Sequence, residues 1–100
     1  MNQLLPPESA LDVLSRSPAL WNRSRLDLNS EEVLAQILDR GRMEDWRALY
    51  SLAKNDRALR QRIAWIVSTV PLPLPRFWLA ALSSLGEEVD LGIELPVYGE

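Results

Sequence analysis

At 100 residues the chain has room for about one domain, and with 47% apolar and 25% charged residues its composition is that of a folding globular protein rather than a disordered one. It holds no cysteine and no histidine, which excludes disulfides, Cys- or His-ligated metals, thiol nucleophiles and imidazole acid–base catalysis. The formal charge of −3 is segregated: residues 1–86 carry all 11 Lys and Arg against 9 acids, a net +2, whereas residues 87–100 carry 5 acids and no base, a net −5.

The elements follow in chain order. Pro6-Pro7-Glu8-Ser9 places proline and an acid where a first helical turn favours them, and Ser17-Pro18 stops the run, predicting a first helix over 8–16. Ala19-Leu20-Trp21-Asn22 leads into a polar connector, Arg23 to Leu28, whose alternation is irregular or extended; Trp21 is expected to pin it to the core. A second helix is predicted over 30–40, with Asn29 as N-cap and Glu32 as its capping-box partner. Val33, Leu34, Ile37 and Leu38 form its apolar stripe, and Arg40-Gly41 closes it, the glycine taking the left-handed conformation.

A third helix starts within two or three residues of Gly41, with Glu44 and Asp45 in its first turn, where carboxylates complement the dipole, and Trp46, Leu49, Tyr50 and Ala53 on one stripe. Asn55 or Asp56 caps a fourth, whose apolar face holds Leu59, Ile63, Ile66, Val67 and Val70 and admits Trp65; Arg57, Arg60 and Arg62 occupy its other face. Alternate prolines make Val70 to Pro75 a stiff, non-helical strap. Pro75 opens a fifth helix holding Phe77, Trp78, Ala81, Leu82 and Leu85, and Gly86 ends it. The remainder alternates acids with Val89, Leu91, Ile93, Leu95 and Val97 and reads as extended.

The fold class expected is therefore all-α: a compact orthogonal domain of about five short helices over 1–86, followed by an extended acidic tail over 87–100. No apolar run reaches the ~20 residues a membrane span needs, and the N-terminus lacks the basic flank of a signal peptide, so a cytoplasmic protein with no membrane association is expected.

Three constellations bear on function. The four tryptophans, Trp21, Trp46, Trp65 and Trp78, lie on or beside predicted apolar stripes and read as core, with one or two at a rim where they anchor a partner. Arg57, Arg60 and Arg62, with Lys54, suggest a phosphate-facing strip on a helix-turn-helix, but the turn lacks the usual glycine and contains Asp56. A solvated face is favoured, and nucleic acid is the secondary partner class. The acid pairs Glu31-Glu32, Glu44-Asp45 and Glu87-Glu88 call for no metal or proton chemistry, since two of them sit at helix starts. Two readings of the tail stay open: a strand that adds to a sheet edge in another protein, or a strap packed over this domain's own core.

Leu20-Trp21, Ile37-Leu38-Asp39-Arg40-Gly41, Glu44-Asp45-Trp46-Arg47 and Phe77-Trp78-Leu79 resemble, in order and character, a family of small helical bacterial proteins encoded beside AbiEii-type nucleotidyltransferase toxins. The likeness spans roughly residues 19–85 and departs from the family pattern at Leu20, at the triple-proline strap and in the longer acidic tail. It implies an antitoxin or accessory protein that binds and neutralises its toxin, with no catalytic residue and no cofactor. The residues expected to meet that partner are Trp46, Arg47, Arg57, Arg60 and Arg76 on the body, and Asp90, Leu91, Ile93, Glu94 and Tyr98 on the tail. A DNA-binding regulator and a helical adaptor subunit are the alternatives.

Overall fold

The computed structural model describes residues 7–20 and 26–98, with the side chain of Pro7 left aside; Trp21 and most of the polar connector lie outside the described residues. The expected all-α class holds. The described residues form five α-helices, α1 (Pro7–Ser15), α2 (Glu31–Arg40), α3 (Met43–Lys54), α4 (Arg57–Thr69) and α5 (Pro75–Ser84), with a 3-10 turn at Pro18–Leu20 between α1 and α2. No strand occurs among the described residues.

The helices form where periodicity and caps agree. Asp56 accepts the Leu59 N–H at 3.0 Å and starts α4, and Pro75 occupies the first turn of α5, where its missing N–H costs nothing. α5 ends in a Schellman motif: Glu87 N–H donates to Leu82 O and Gly86 N–H to Ser83 O, with Gly86 at φ 91°. Two expectations are corrected. Ser30, not Asn29, caps α2, its hydroxyl accepting the Val33 N–H at 3.3 Å, while the Asn29 N–H is held by Asp27. Gly41 is not left-handed but extended, at φ −66° and ψ 148°. Its glycine is required instead by crowding, because a Cβ there would overlap Ile37 O and lie 2.8 Å from Trp46 Nε1.

One core joins all five helices, with Leu14, Leu34, Ile37, Leu38, Leu49, Leu59, Ile63, Val67, Trp78 and Leu82 at its centre and Leu72 of the proline strap plugged into it. α1 packs on α3 and α4 on α5, while α2 lies against the 3-10 turn and α4. A polar link crosses this core. Asp45, fully buried, accepts Ser17 Oγ–H at 2.7 Å and the Arg42 N–H at 2.9 Å, and Ser17 Oγ in turn accepts the Ala19 N–H. Asp45 therefore does more than complement a dipole: it fixes the first turn of α3 to the end of α1.

Trp65 corrects its expected placement on the apolar face of α4, being 54% exposed, with Ile63, Ile66 and Val67 inside. The arginines of α4 do not share one outer face either. Arg57 is exposed, but Arg60 turns inward, donating from Nη1 to the Ala53 and Lys54 carbonyls at the end of α3 and pairing through Nε with Glu87 Oε1 at 3.1 Å.

The tail is not uniformly extended. Asp90 O accepts the Ile93 N–H and Asp90 Oδ1 the Gly92 N–H, making a turn that throws Leu91 outward. Val89, Ile93 and Leu95 pack half-buried against the core.

Candidate protein-docking groove

α3 and α5 each carry more apolar surface than the core consumes. On α3, Trp46, Leu49 and Ala53 face inward, whereas Met43, Arg47 and Tyr50 form a second stripe one helical step around. On α5, Trp78, Leu79 and Leu82 face inward and leave Phe77, Ala80 and Ala81 beside that stripe.

The rings set the shape of the space between. Trp46 Nε1 donates to Ile37 O at 2.8 Å, which fixes the indole against the end of α2. Phe77 stacks on it with centroids 5.5 Å apart and planes at 27°, and Trp78 meets both rings edge-on at 5.8 and 5.7 Å. Because Ala80 and Ala81 are small, an open groove of about 470 Å³ remains, lined by Met43, Trp46, Arg47, Tyr50, Phe77, Ala80 and Ala81. Tyr50 Oη and Ser84 Oγ, 2.9 Å apart, bridge α3 to α5 beside it. Met43 is 54% and Phe77 46% exposed, so two large apolar side chains stand in solvent next to one cation.

Chemically the groove offers apolar area, aromatic faces, a guanidinium and a hydroxyl. No nucleophile–base pair occurs among the lining residues. Among the described residues no cluster of three acids, cysteines or histidines is placed to hold a metal ion.

Of the residues expected from sequence to meet a partner, the groove brings together Trp46 and Arg47. The others lie elsewhere. Arg57 is exposed at the start of α4, and Arg60 caps α3. Arg76 grips the tail, donating from Nη1 to Leu91 O at 2.8 Å and from Nη2 to Ile93 O at 2.9 Å. Asp90 is engaged in its own turn, Leu91 and Glu94 point outward, and Ile93 is half-buried. The Tyr98 hydroxyl is raised above its ordinary pKa of 10.0, first by its hydrogen bond to the Asp39 carboxylate and then by that group's charge.

Met43, Tyr50, Phe77, Ala80 and Ala81 were not singled out from sequence as partner-facing. Their signal was present in the second stripe of α3 at 43, 47 and 50, an i, i+4, i+7 pattern beside the core stripe. Tyr50, expected on the apolar stripe with Trp46, Leu49 and Ala53, turns instead to the groove and is only partly buried.

No family model, curated protein or solved structure matches this chain. No described helix is long and apolar enough to cross a membrane.

Proposed function

We propose that this chain is a non-catalytic protein-binding module that docks its partner in the α3–α5 groove, and that it acts as an antitoxin-like protein holding a nucleotidyltransferase-type toxin inactive in the cytoplasm. The observation carrying the binding role is the exposed aromatic groove itself: Met43, Phe77 and Tyr50 around a fixed Trp46, with Arg47 at the edge, is the composition of an interface anchor. The toxin as partner rests on the family resemblance of the Glu44-Asp45-Trp46-Arg47 and Phe77-Trp78-Leu79 segments.

The protein reading is favoured over nucleic-acid recognition by the fate of the arginines. Arg60 is engaged within the chain, so the basic strip is reduced to Lys54, Arg57 and the half-buried Arg62, and Arg76 on α5 is engaged with the tail. The acidic tail is tied to the body by the same two arginines, so it reaches a basic cleft on a toxin only after release from them.

Ala80→Arg tests the reading, because it fills the groove from an exposed position without touching the core. Co-purification of a nucleotidyltransferase-type partner from the native cytoplasm by the wild-type chain, and its loss with Ala80→Arg at unchanged thermal stability, is the expected result. Equal recovery of that partner by the variant would remove the groove from the interface. Salt-sensitive recovery of DNA, abolished by Arg57→Ala, would replace the reading with the regulator alternative.

A further inference from the structure

The tail is held to the body more as a bound peptide than as a part of the core. All the fully buried apolar residues lie between Ala10 and Leu82, so among the described residues the core is complete before the tail begins. From Glu87 to Tyr98 no residue is fully buried, and among the described residues no ladder of backbone hydrogen bonds pairs the segment with another element. Side chains of the helices hold it instead. The Arg60–Glu87 pair, 16% and 14% exposed, anchors its start, and the Arg76 guanidinium forks onto two of its carbonyls, Leu91 O and Ile93 O.

Beside these polar contacts Val89 and Ile93 pack against the core and share with Ala64, Trp65 and Ser68 of α4 and Leu79 of α5 the walls of an open cleft of about 350 Å³, with Trp65 54% exposed. The surface contributes arginines and apolar floor; the tail contributes acids, spaced aliphatic residues and exposed carbonyls presented by the Asp90–Ile93 turn. Gly86, at a positive φ, separates the two. An element with few buried contacts beside a finished core opens at a smaller free-energy cost than the whole fold.

We propose that the α4–α5 face is a peptide-recognition site for acidic–aliphatic segments carrying an Asp-x-Gly turn, that the chain's own tail is its occupant in cis, and that a partner segment of the same chemistry displaces it. Arg76 reads the turn through its two carbonyls, Arg60 takes the acid that precedes it, and the Ala64–Trp65–Leu79 floor takes the aliphatic side chains. The tail's linkage to α5 gives it an effective concentration on the order of millimolar, so it masks the site from weaker competitors. This site is separate from the α3–α5 groove and does not depend on the toxin-binding reading.

The test uses the full chain and a fluorescent synthetic peptide of residues 87–98. The Val89→Ser/Ile93→Ser variant weakens the cis occupant and leaves Arg60, Trp65, Arg76 and Leu79 untouched. The peptide is expected to bind this variant about tenfold or more tightly than it binds the wild-type chain. Adding Arg76→Ala is expected to abolish that gain, and a peptide of the same composition in shuffled order is expected not to bind. Equal affinity for wild type and variant, or equal binding of the shuffled peptide, overturns the proposal. So does a variant that no longer folds, since that makes the tail part of the core. Hydrogen exchange on the wild-type chain gives an independent check: amides of 89–95 are expected to exchange by local opening while those of α4 stay protected, and exchange of both only through global unfolding overturns the proposal.

Discussion

Replacing Gly41 by alanine sets two physical effects of opposite sign against each other. At φ −66° and ψ 148° alanine is free of backbone strain, and the substitution restricts the unfolded chain, a stabilisation of about 0.4–1 kcal/mol. Against this stands the space around it. The added Cβ would overlap Ile37 O and lie 2.8 and 2.9 Å from Trp46 Nε1 and Cδ1, where ordinary contacts begin near 3.4 Å. Ile37 O already accepts two hydrogen bonds, from Gly41 N–H and from Trp46 Nε1–H, each 2.8 Å, so neither donor has room to shift while keeping its bond.

Losing the indole bond costs about 1 kcal/mol, and overpacking a tight site costs about 1–3 kcal/mol. After the entropic gain, Gly41→Ala is expected to destabilise by roughly 2 kcal/mol, lowering Tm by about 10–15 °C in a domain of this size. Urea unfolding followed by tryptophan fluorescence and far-ultraviolet dichroism measures it. Trp46→Phe removes the indole nitrogen that the new methyl meets but leaves the overlap with Ile37 O, so the alanine is expected to cost less in that background by the lost indole bond, about 1 kcal/mol, and to remain destabilising. Wild-type or greater stability for Gly41→Ala would refute the reasoning, because the glycine would then owe nothing to the approach of Trp46.

Two further predictions follow from buried and exposed polar groups. Asp45→Ala leaves the Ser17 hydroxyl and the Arg42 N–H without their acceptor and is expected to cost about 3 kcal/mol, whereas Asp45→Asn keeps an acceptor oxygen and is expected to cost less; chemical denaturation of both variants separates them. Because the Asp39 carboxylate accepts the Tyr98 hydroxyl, the phenol holds its proton to a higher pH in the folded chain than its unfolded value of 10.0. The contact's contribution is therefore fully present below that value and is lost as pH rises through the folded one. In a Tyr50→Phe background an ultraviolet phenolate titration is expected to move to lower pH on Asp39→Asn, and an unmoved curve would remove Asp39 as the cause.

The number, order and approximate limits of the helices were legible in one dimension because they depend on local physics. The 3.6-residue recurrence in Val33 to Leu38 and Leu59 to Val67, the N-terminal carboxylates, Asp56 as cap, Pro75 at a helix start and Gly86 past a helix end act between residues a few positions apart. Even the miss at Asn29 was local: Asn and Ser are both good caps, and the choice fell to Ser30.

What the tertiary structure alone decided was which of several equivalent faces meets a neighbour. Trp46 and Trp65 are the same residue type on similarly amphipathic helices, yet α2 supplies a carbonyl to the first and the second stays 54% exposed. Arg57 and Arg60 carry the same charge, but only Arg60 lies near the orphan carbonyls at the end of α3 and near Glu87. Gly41 announced a helix end without revealing that an indole fills the space where a side chain would go. The amino-acid order by itself determined an all-α chain with a segregated acidic tail, because helix propensity, capping and charge belong to neighbouring residues. The exposed aromatic groove and the tethering of the tail by Arg60 and Arg76 arise from contacts between elements distant in sequence, set by how five helices share one core.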